Sequence, residues 1–211
     1  MTNNKAVEPS PWSISIARNA AIGHNNAGFM LFEQLEELML SARESGEPLD
    51  LSQVFELEIP AVTNLALGIE LLFKVHYFQS FLKYPTGHDV RALSDQLPEE
   101  KIVELRRIYA ELYNQPGISK GPEIRYSSGR VEEAKEWEKT DFSTYDLAVN
   151  YVGSLYVKWR YIYEHFGDSF DVHIAFGPFY FLSQTLHMAI EEFIGTLKVH
   201  IAKGPVIWHA P

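Results

Sequence analysis

The stretch Lys158-Trp-Arg160-Tyr-Ile-Tyr-Glu164-His165 sets an arginine and a histidine on one segment with four residues between them. Without a metal, the chemistry open to such a pair is phosphoryl transfer. A histidine titrating near neutral pH can move the proton of a ribose 2′-hydroxyl. An arginine can hold the charge that builds on the phosphate oxygens. RNA meets this requirement because it carries its own nucleophile. On an ideal helix five residues turn through roughly 500°, leaving the two side chains about 140° apart and ~7.5 Å along the axis. They converge if the helix ends between them, which Gly167 favours, or if a two-fold dimer brings both pairs into one cleft. The same spacing also has an architectural reading. Arg160 then pairs with Glu164 at i, i+4, and His165 is a cation at the negative end of the helix dipole.

Other motifs are absent or incomplete. No glycine-rich phosphate loop, GxSxG elbow or HExxH occurs, and no glutamate has a histidine three residues later, as the di-iron sites of helical bundles require. No metal or other cofactor is expected. His187 and Glu191 are four apart but supply too few ligands alone, so His187 reads as a partly buried histidine with a helix partner. His76, in an apolar segment, reads as a satisfied core residue. Lys120, Arg125 and Arg130 fall in one long loop and offer a local phosphate-binding patch, with Tyr126 among them to stack a base. Lys158 adds a further cation beside Arg160. The plainer reading of the loop is a solvated segment whose charges are offset by Glu132, Glu133 and Glu136.

These groups must be positioned by helices. Apolar residues recur at three- and four-residue steps from Ile16 to Arg43, with Asn25-Asn26 and Gly28 expected to break the run. A second helix is predicted to open at Pro60 and run to about Tyr84, where Pro85-Thr86-Gly87 stops it. A short helix follows from Asp89 to Leu97, with Asp89 or His88 near its cap. Another opens at Pro98-Glu99-Glu100 and runs to about Gln115. Residues 116–140 read as the one long loop, within which Ile124 to Val131 suggest a small hairpin turning at Ser-Gly. A helix from about Ser143 to His165, a connector from Ser169 to Gly177, and a last helix opening at Pro178 complete the chain. This pattern predicts an all-α, up-and-down helical bundle. Residues 1–12 are expected to be a flexible tail, and 13–211 a single domain.

The bulk numbers narrow the function. The chain has 211 residues, 46% of them hydrophobic, which is ordinary globular composition, and a formal charge of −10. An acidic body repels long polyanions, so any nucleic-acid contact must be local. The absence of cysteine excludes disulfides, thiolate zinc sites and a thiol nucleophile. The N-terminal residues hold no apolar stretch after Lys5, which predicts no secretory signal. No apolar run is long enough to span a bilayer. A cytoplasmic protein without membrane contact is expected.

Three segments together resemble the HEPN superfamily of helical-bundle proteins. They are Ala66-Leu-Gly-Ile-Glu-Leu-Leu-Phe-Lys74, then Gly87-His88-Asp89 with Leu93 and Leu97, and the run Trp159-Arg160-Tyr161-Ile-Tyr163-Glu164-His165. The resemblance covers about residues 60–200 and leaves the N-terminal helix as an addition. It implies a prokaryotic, metal-independent ribonuclease, toxin or defence related, acting at a homodimer cleft. In that reading Arg160 stabilises the phosphate, His165 is the acid or base, and His88, Asp89 and Glu164 are structural. Partners implied are RNA and an antitoxin or nucleotidyltransferase. The residue after the arginine is usually polar in the family and is Tyr161 here. Many family members lack the catalytic pair. For such a member the expected function is an inert helical module that binds a partner protein, nucleotide or other small ligand.

Overall fold

The structure, a computed structural model, describes residues 11–47, 49–121, 123–127, 140–160 and 171–196. Its elements in chain order are α1 (Pro11–Ser45), α2 (Leu51–Phe81), α3 (Val90–Asp95), α4 (Glu99–Tyr113), β1 (Glu123–Ser127), α5 (Tyr145–Arg160), β2 (Asp171–Ala175) and α6 (Gly177–Thr196). The fold is an all-α helical bundle carrying one two-stranded antiparallel ribbon, β1–β2.

Helix α2 is the centre. Val54, Ala61, Val62, Leu65, Ala66, Ile69, Leu72, Phe73 and Val75 are buried on all of its sides, as expected of a helix enclosed by others. It packs against α1, α3, α5 and α6. It starts nine residues before Pro60, the predicted opening. Asp50 caps it, with its carboxylate accepting from the Ser52 amide at 2.9 Å, and Pro60 lies inside. The stripe Val54, Glu58, Ala61, Val62, Leu65 supplies enough burial to carry the helix through the hydrogen bond that proline cannot make. At the other end Leu82 adopts the left-handed conformation (φ 53°), and its amide bonds the Phe78 carbonyl at 2.8 Å.

Helix α1 runs unbroken through Asn25-Asn26 and Gly28, against expectation, and it includes Pro11 and Trp12 of the predicted tail. The residues that looked like helix breakers are packing residues. The Asn25 amide is buried and donates to Ser183 Oγ of α6 at 2.7 Å. A Cβ on Gly68 would stand 2.1 Å from Asn25 Oδ1, and one on Gly28 would stand 2.6 Å from Leu65 Cγ. Glycine at both places lets α1 and α2 lie closer than any side chain would permit. Phe32, Leu35 and Ala21 thereby join the same core as α2.

An aromatic cluster joins α4 to α6. Tyr109 hydroxyl donates to the Phe142 carbonyl at 2.6 Å, Tyr113 stacks on its ring, and Phe181 packs tilted against Tyr109, Tyr113 and Phe142. Ser94 of α3 bonds the Tyr145 hydroxyl at 2.8 Å, which fixes the start of α5.

The ribbon bears on two expectations. Among the described residues β1 pairs with β2, with Glu123 opposite Ala175, Arg125 opposite His173 and Ser127 opposite Asp171, and the far half of the hairpin expected over 124–131 lies outside the described residues. Residues 171–175, expected to be a connector, are the second strand. Asp-Val-His-Ile-Ala alternates as a strand does, and Ile174 and Ala175 at its end are both fully buried. The Tyr151 hydroxyl of α5 accepts from the Ala175 amide at 2.6 Å and pins this end of the strand.

The two α1–α2 glycine environments give opposite expectations. Gly68→Ala should lower unfolding free energy by about 2 kcal/mol through overpacking. Gly23→Ala, with nothing within 4 Å of the new Cβ, should raise it by roughly 0.5–1 kcal/mol, the usual mid-helix gain. Urea melts of the two variants check both signs.

Candidate functional site

Arg160 is the last described residue of α5. Seven residues of helix turn through roughly 700°, so its position falls within about 20° of Gly153. Gly153 lies under the Arg91 side chain of α3, and Val149 of the same stripe lines a cleft between α3 and α5. Its place on the helix is thus in line with Val149 and Gly153, both of them buried. Lys158 sits two residues earlier, about 200° round the helix, so it does not share that stripe. His165, Glu164, Tyr161 and Arg130 lie outside the described residues.

The cleft has a volume of about 400 Å³ and is lined by Asp89, Arg91, Ser94, Asp95, Asp146 and Asn150, with Ala92 and Val149. Much of its charge is already committed. Asp89 caps α3, its carboxylate accepting from the Arg91 and Ala92 amides at 2.9 and 3.3 Å. Asp146 takes a two-pronged hydrogen bond from Arg106, both contacts at 3.0 Å. The Asp146 carboxylate raises the Arg106 pKa by hydrogen bond and charge. The Arg91 guanidinium forms no ion pair among the described residues and stands at the cleft wall.

Beside the cleft, His88 anchors the turn before α3. Its Nδ1 lies 2.9 Å from Glu70 Oε1, and Lys74 Nζ lies 2.6 Å from the same oxygen. The Glu70 side chain is 1% exposed and that of His88 63%. A carboxylate only accepts, so Nδ1 is the donor. A buried carboxylate between a lysine and a histidine is a paired charge, which is the condition for keeping it in a core.

The loop cations separate. Lys120 is turned inward, its ammonium 3.4 Å from the centre of the Tyr113 ring and bonded to the Tyr113 carbonyl. Cation–π contact and a carbonyl partner hold it away from any phosphate. Arg125 and Tyr126 are neighbours in β1, so strand alternation puts them on opposite faces. In the ladder Arg125 is paired with His173 and Tyr126 with Val172.

Sequence reasoning missed Glu123, Thr140 and His173. His173 Nε2 lies 3.0 Å from Glu123 Oε2 and 3.4 Å from Thr140 Oγ1. The alternation around His173 was the available signal. Its pairing partner, 48 residues away, was not.

Two other histidines are interior groups. His76 Nε2 bonds the Leu186 carbonyl at 3.0 Å, and burial, against that bond and with Lys101 and His187 nearby, lowers its pKa to about 3. Burial and then the Arg18 charge lower His187 to about 4. The unfolded chain protonates both near the ordinary value of 6.5. Their neutral forms therefore favour folding fully above that pH, and stability falls as pH drops from it toward the folded values. Each group contributes a slope of about 1.4 kcal/mol per pH unit in that window. His76→Gln is expected to remove roughly half of the slope between about pH 6 and 4.5. Urea melts across the window measure it, and an unchanged slope would mean that His76 charges in the core without cost.

Among the described residues no helix is long and apolar enough to cross a membrane, and no three His, Asp or Glu side chains are grouped to hold a metal ion. Compared with family models, curated proteins and solved structures, the chain matches none.

Proposed function

We propose that the chain is a metal-independent ribonuclease of HEPN type, toxin or defence related, working as a cytoplasmic homodimer in a prokaryote. What supports this reading is the run of sequence itself: Arg160, the last described residue of α5, is followed five residues later by His165. In the proposed step His165 takes the proton of the ribose 2′-hydroxyl, the new O2′–P bond displaces the 5′-oxygen, and that oxygen leaves protonated. Arg160 holds the charge on the non-bridging oxygens. An antitoxin or a nucleotidyltransferase is the partner this reading calls for.

A second reading has its own observation. The polar groups of α2, α3 and α5 are largely paired with one another: Glu70 with Lys74 and His88, and Asp146 with Arg106. Such pairing serves a bundle that does no chemistry. In that case the chain is an inert HEPN-like module that binds a partner protein, a nucleotide or another small ligand, and the α3–α5 cleft is the place for a small ligand.

RNA cleavage in EDTA decides between them. Wild type is expected to cut single-stranded RNA or tRNA to 2′,3′-cyclic ends, and His165→Ala and Arg160→Ala are each expected to lose at least about a hundredfold in rate. Equal cutting by wild type and His165→Ala, or no cutting by either, sinks the nuclease and leaves the binding module.

A further inference from the structure

Many charges of this protein answer one another. Glu70 meets Lys74 and His88, Asp146 meets Arg106, Glu111 meets Arg107 and Glu104 meets Lys101. The cleft between α3 and α5 departs from that pattern. Three of its lining residues, Arg91, Asp95 and Asn150, have exposed side chains that make no hydrogen bond or ion pair among the described residues. Arg91 and Asp95 stand four residues apart on α3. Opposite charges at that spacing ordinarily pair, and these two do not.

The reason lies on α5. A Cβ on Gly153 would stand 2.9 Å from Arg91 Cγ, 3.4 Å from its Nε and 3.5 Å from its Cδ. The arginine stem therefore rests on the bare backbone of Gly153 and is drawn across to α5 instead of along α3. A glycine inside a helix weakens it, and what this one admits is the stem of Arg91. Packing thus holds a guanidinium at the cleft with no anion of the chain upon it.

The other carboxylates of the lining are engaged. Asp146 gives both oxygens to Arg106, and Asp89 caps α3 through Oδ1. Asp95 is left without a partner, opposite in sign to Arg91 and one turn along the same helix. Asn150, on the α5 wall, has an amide that can donate or accept. These groups select a ligand by sign and size. A guanidinium takes a carboxylate or a phosphate. A phosphate would meet the field of Asp89, Asp95 and Asp146, three carboxylates against the one arginine of the lining. A carboxylate whose own molecule carries an ammonium meets Arg91 with one end and Asp95 with the other. The cleft volume of about 400 Å³ is at the small end for ligand sites. Its apolar lining is only Ala92 and Val149, which suits a short side chain.

We infer that the α3–α5 cleft binds a free α-amino acid of short side chain, its carboxylate on Arg91 and Asn150 and its ammonium on Asp95. This rests on the binding-module reading, to whose cleft it gives a ligand. The test is isothermal titration calorimetry of the full chain with glycine, L-alanine, L-serine and L-valine, each to about 10 mM. Saturable binding of at least one is expected. The amide and the N-acetyl derivative of the best binder lack the carboxylate and the ammonium in turn. Each should bind at least about tenfold more weakly, the worth of one charge-assisted hydrogen bond. Arg91→Met keeps a stem over Gly153 and removes the charge. It should bind the amino acid at least about tenfold more weakly and no longer distinguish it from its amide. Asp95→Asn should instead lose the distinction from the N-acetyl derivative. No saturable binding of any of the four, or binding that both variants leave unchanged, overturns the site. RNA cleavage is measured on the same preparation. A chain that cuts RNA and binds the amino acid loses the inert reading and keeps the site. A chain that does neither loses the site and keeps that reading, with a protein as its partner.

Discussion

The close approach of α1 to α2 is the contact on which the rest of the bundle depends. It requires glycine at 28 and 68, because side chains there would enter Leu65 and Asn25. Each glycine inside a helix costs roughly 0.5–1 kcal/mol relative to alanine. The cost is offset by burying one whole side of α2, including Leu65 and Ile69, at about 1.5–3 kcal/mol for each large aliphatic side chain. With that side covered by α1, the other sides of α2 receive α3, α5 and α6. Asn25 then sets the register. Its amide reaches from the α1–α2 seam to Ser183 of α6, so sliding any one of the three helices would leave buried polar groups unmatched.

A second constraint follows from the sequence of α2. Glu70 lies on a helix that is enclosed all round, and an unpaired carboxylate there would cost several kcal/mol. Lys74, one turn on, supplies a positive charge from the same helix, and His88 supplies a donor from the turn that leads to α3. The place of α3 is thus tied to a charge on α2. With α3 fixed, Arg91 lies across Gly153 and Asp89 is spent on the cap. The cleft between α3 and α5 is a consequence of these local pairings.

The helices were legible where local chemistry decides. Asp89 as a cap, Pro98-Glu99-Glu100 as a start and Pro178 near the opening of α6 all act within one turn, and the elements lie where those signals put them. Legibility failed where a distant partner reverses a local preference. Asn25 and Gly28 carry a breaker signal in sequence, yet in the bundle the first donates to Ser183 and the second is required by Leu65. Pro60 looked like a helix start because the burial that carries α2 past it is supplied by neighbouring helices. The ribbon was invisible for the same reason. Neither Glu123–Ser127 nor Asp171–Ala175 has a turn beside it that names its partner, and the pairing spans the whole of α5.

This difference bears on how an arginine and a histidine are to be sought in an α-helical chain. A pair close in sequence, such as Arg160 and His165, is easily noticed, but helix geometry sets such residues about 140° apart unless the helix ends or a second copy intervenes. A pair joined by strand register, such as Arg125 and His173, cannot be noticed in sequence, yet the register itself places it on one face. Eleven residue steps separate Arg160 from Asp171, so the chain limits their separation to about 40 Å even fully extended. His165 lies within that connection.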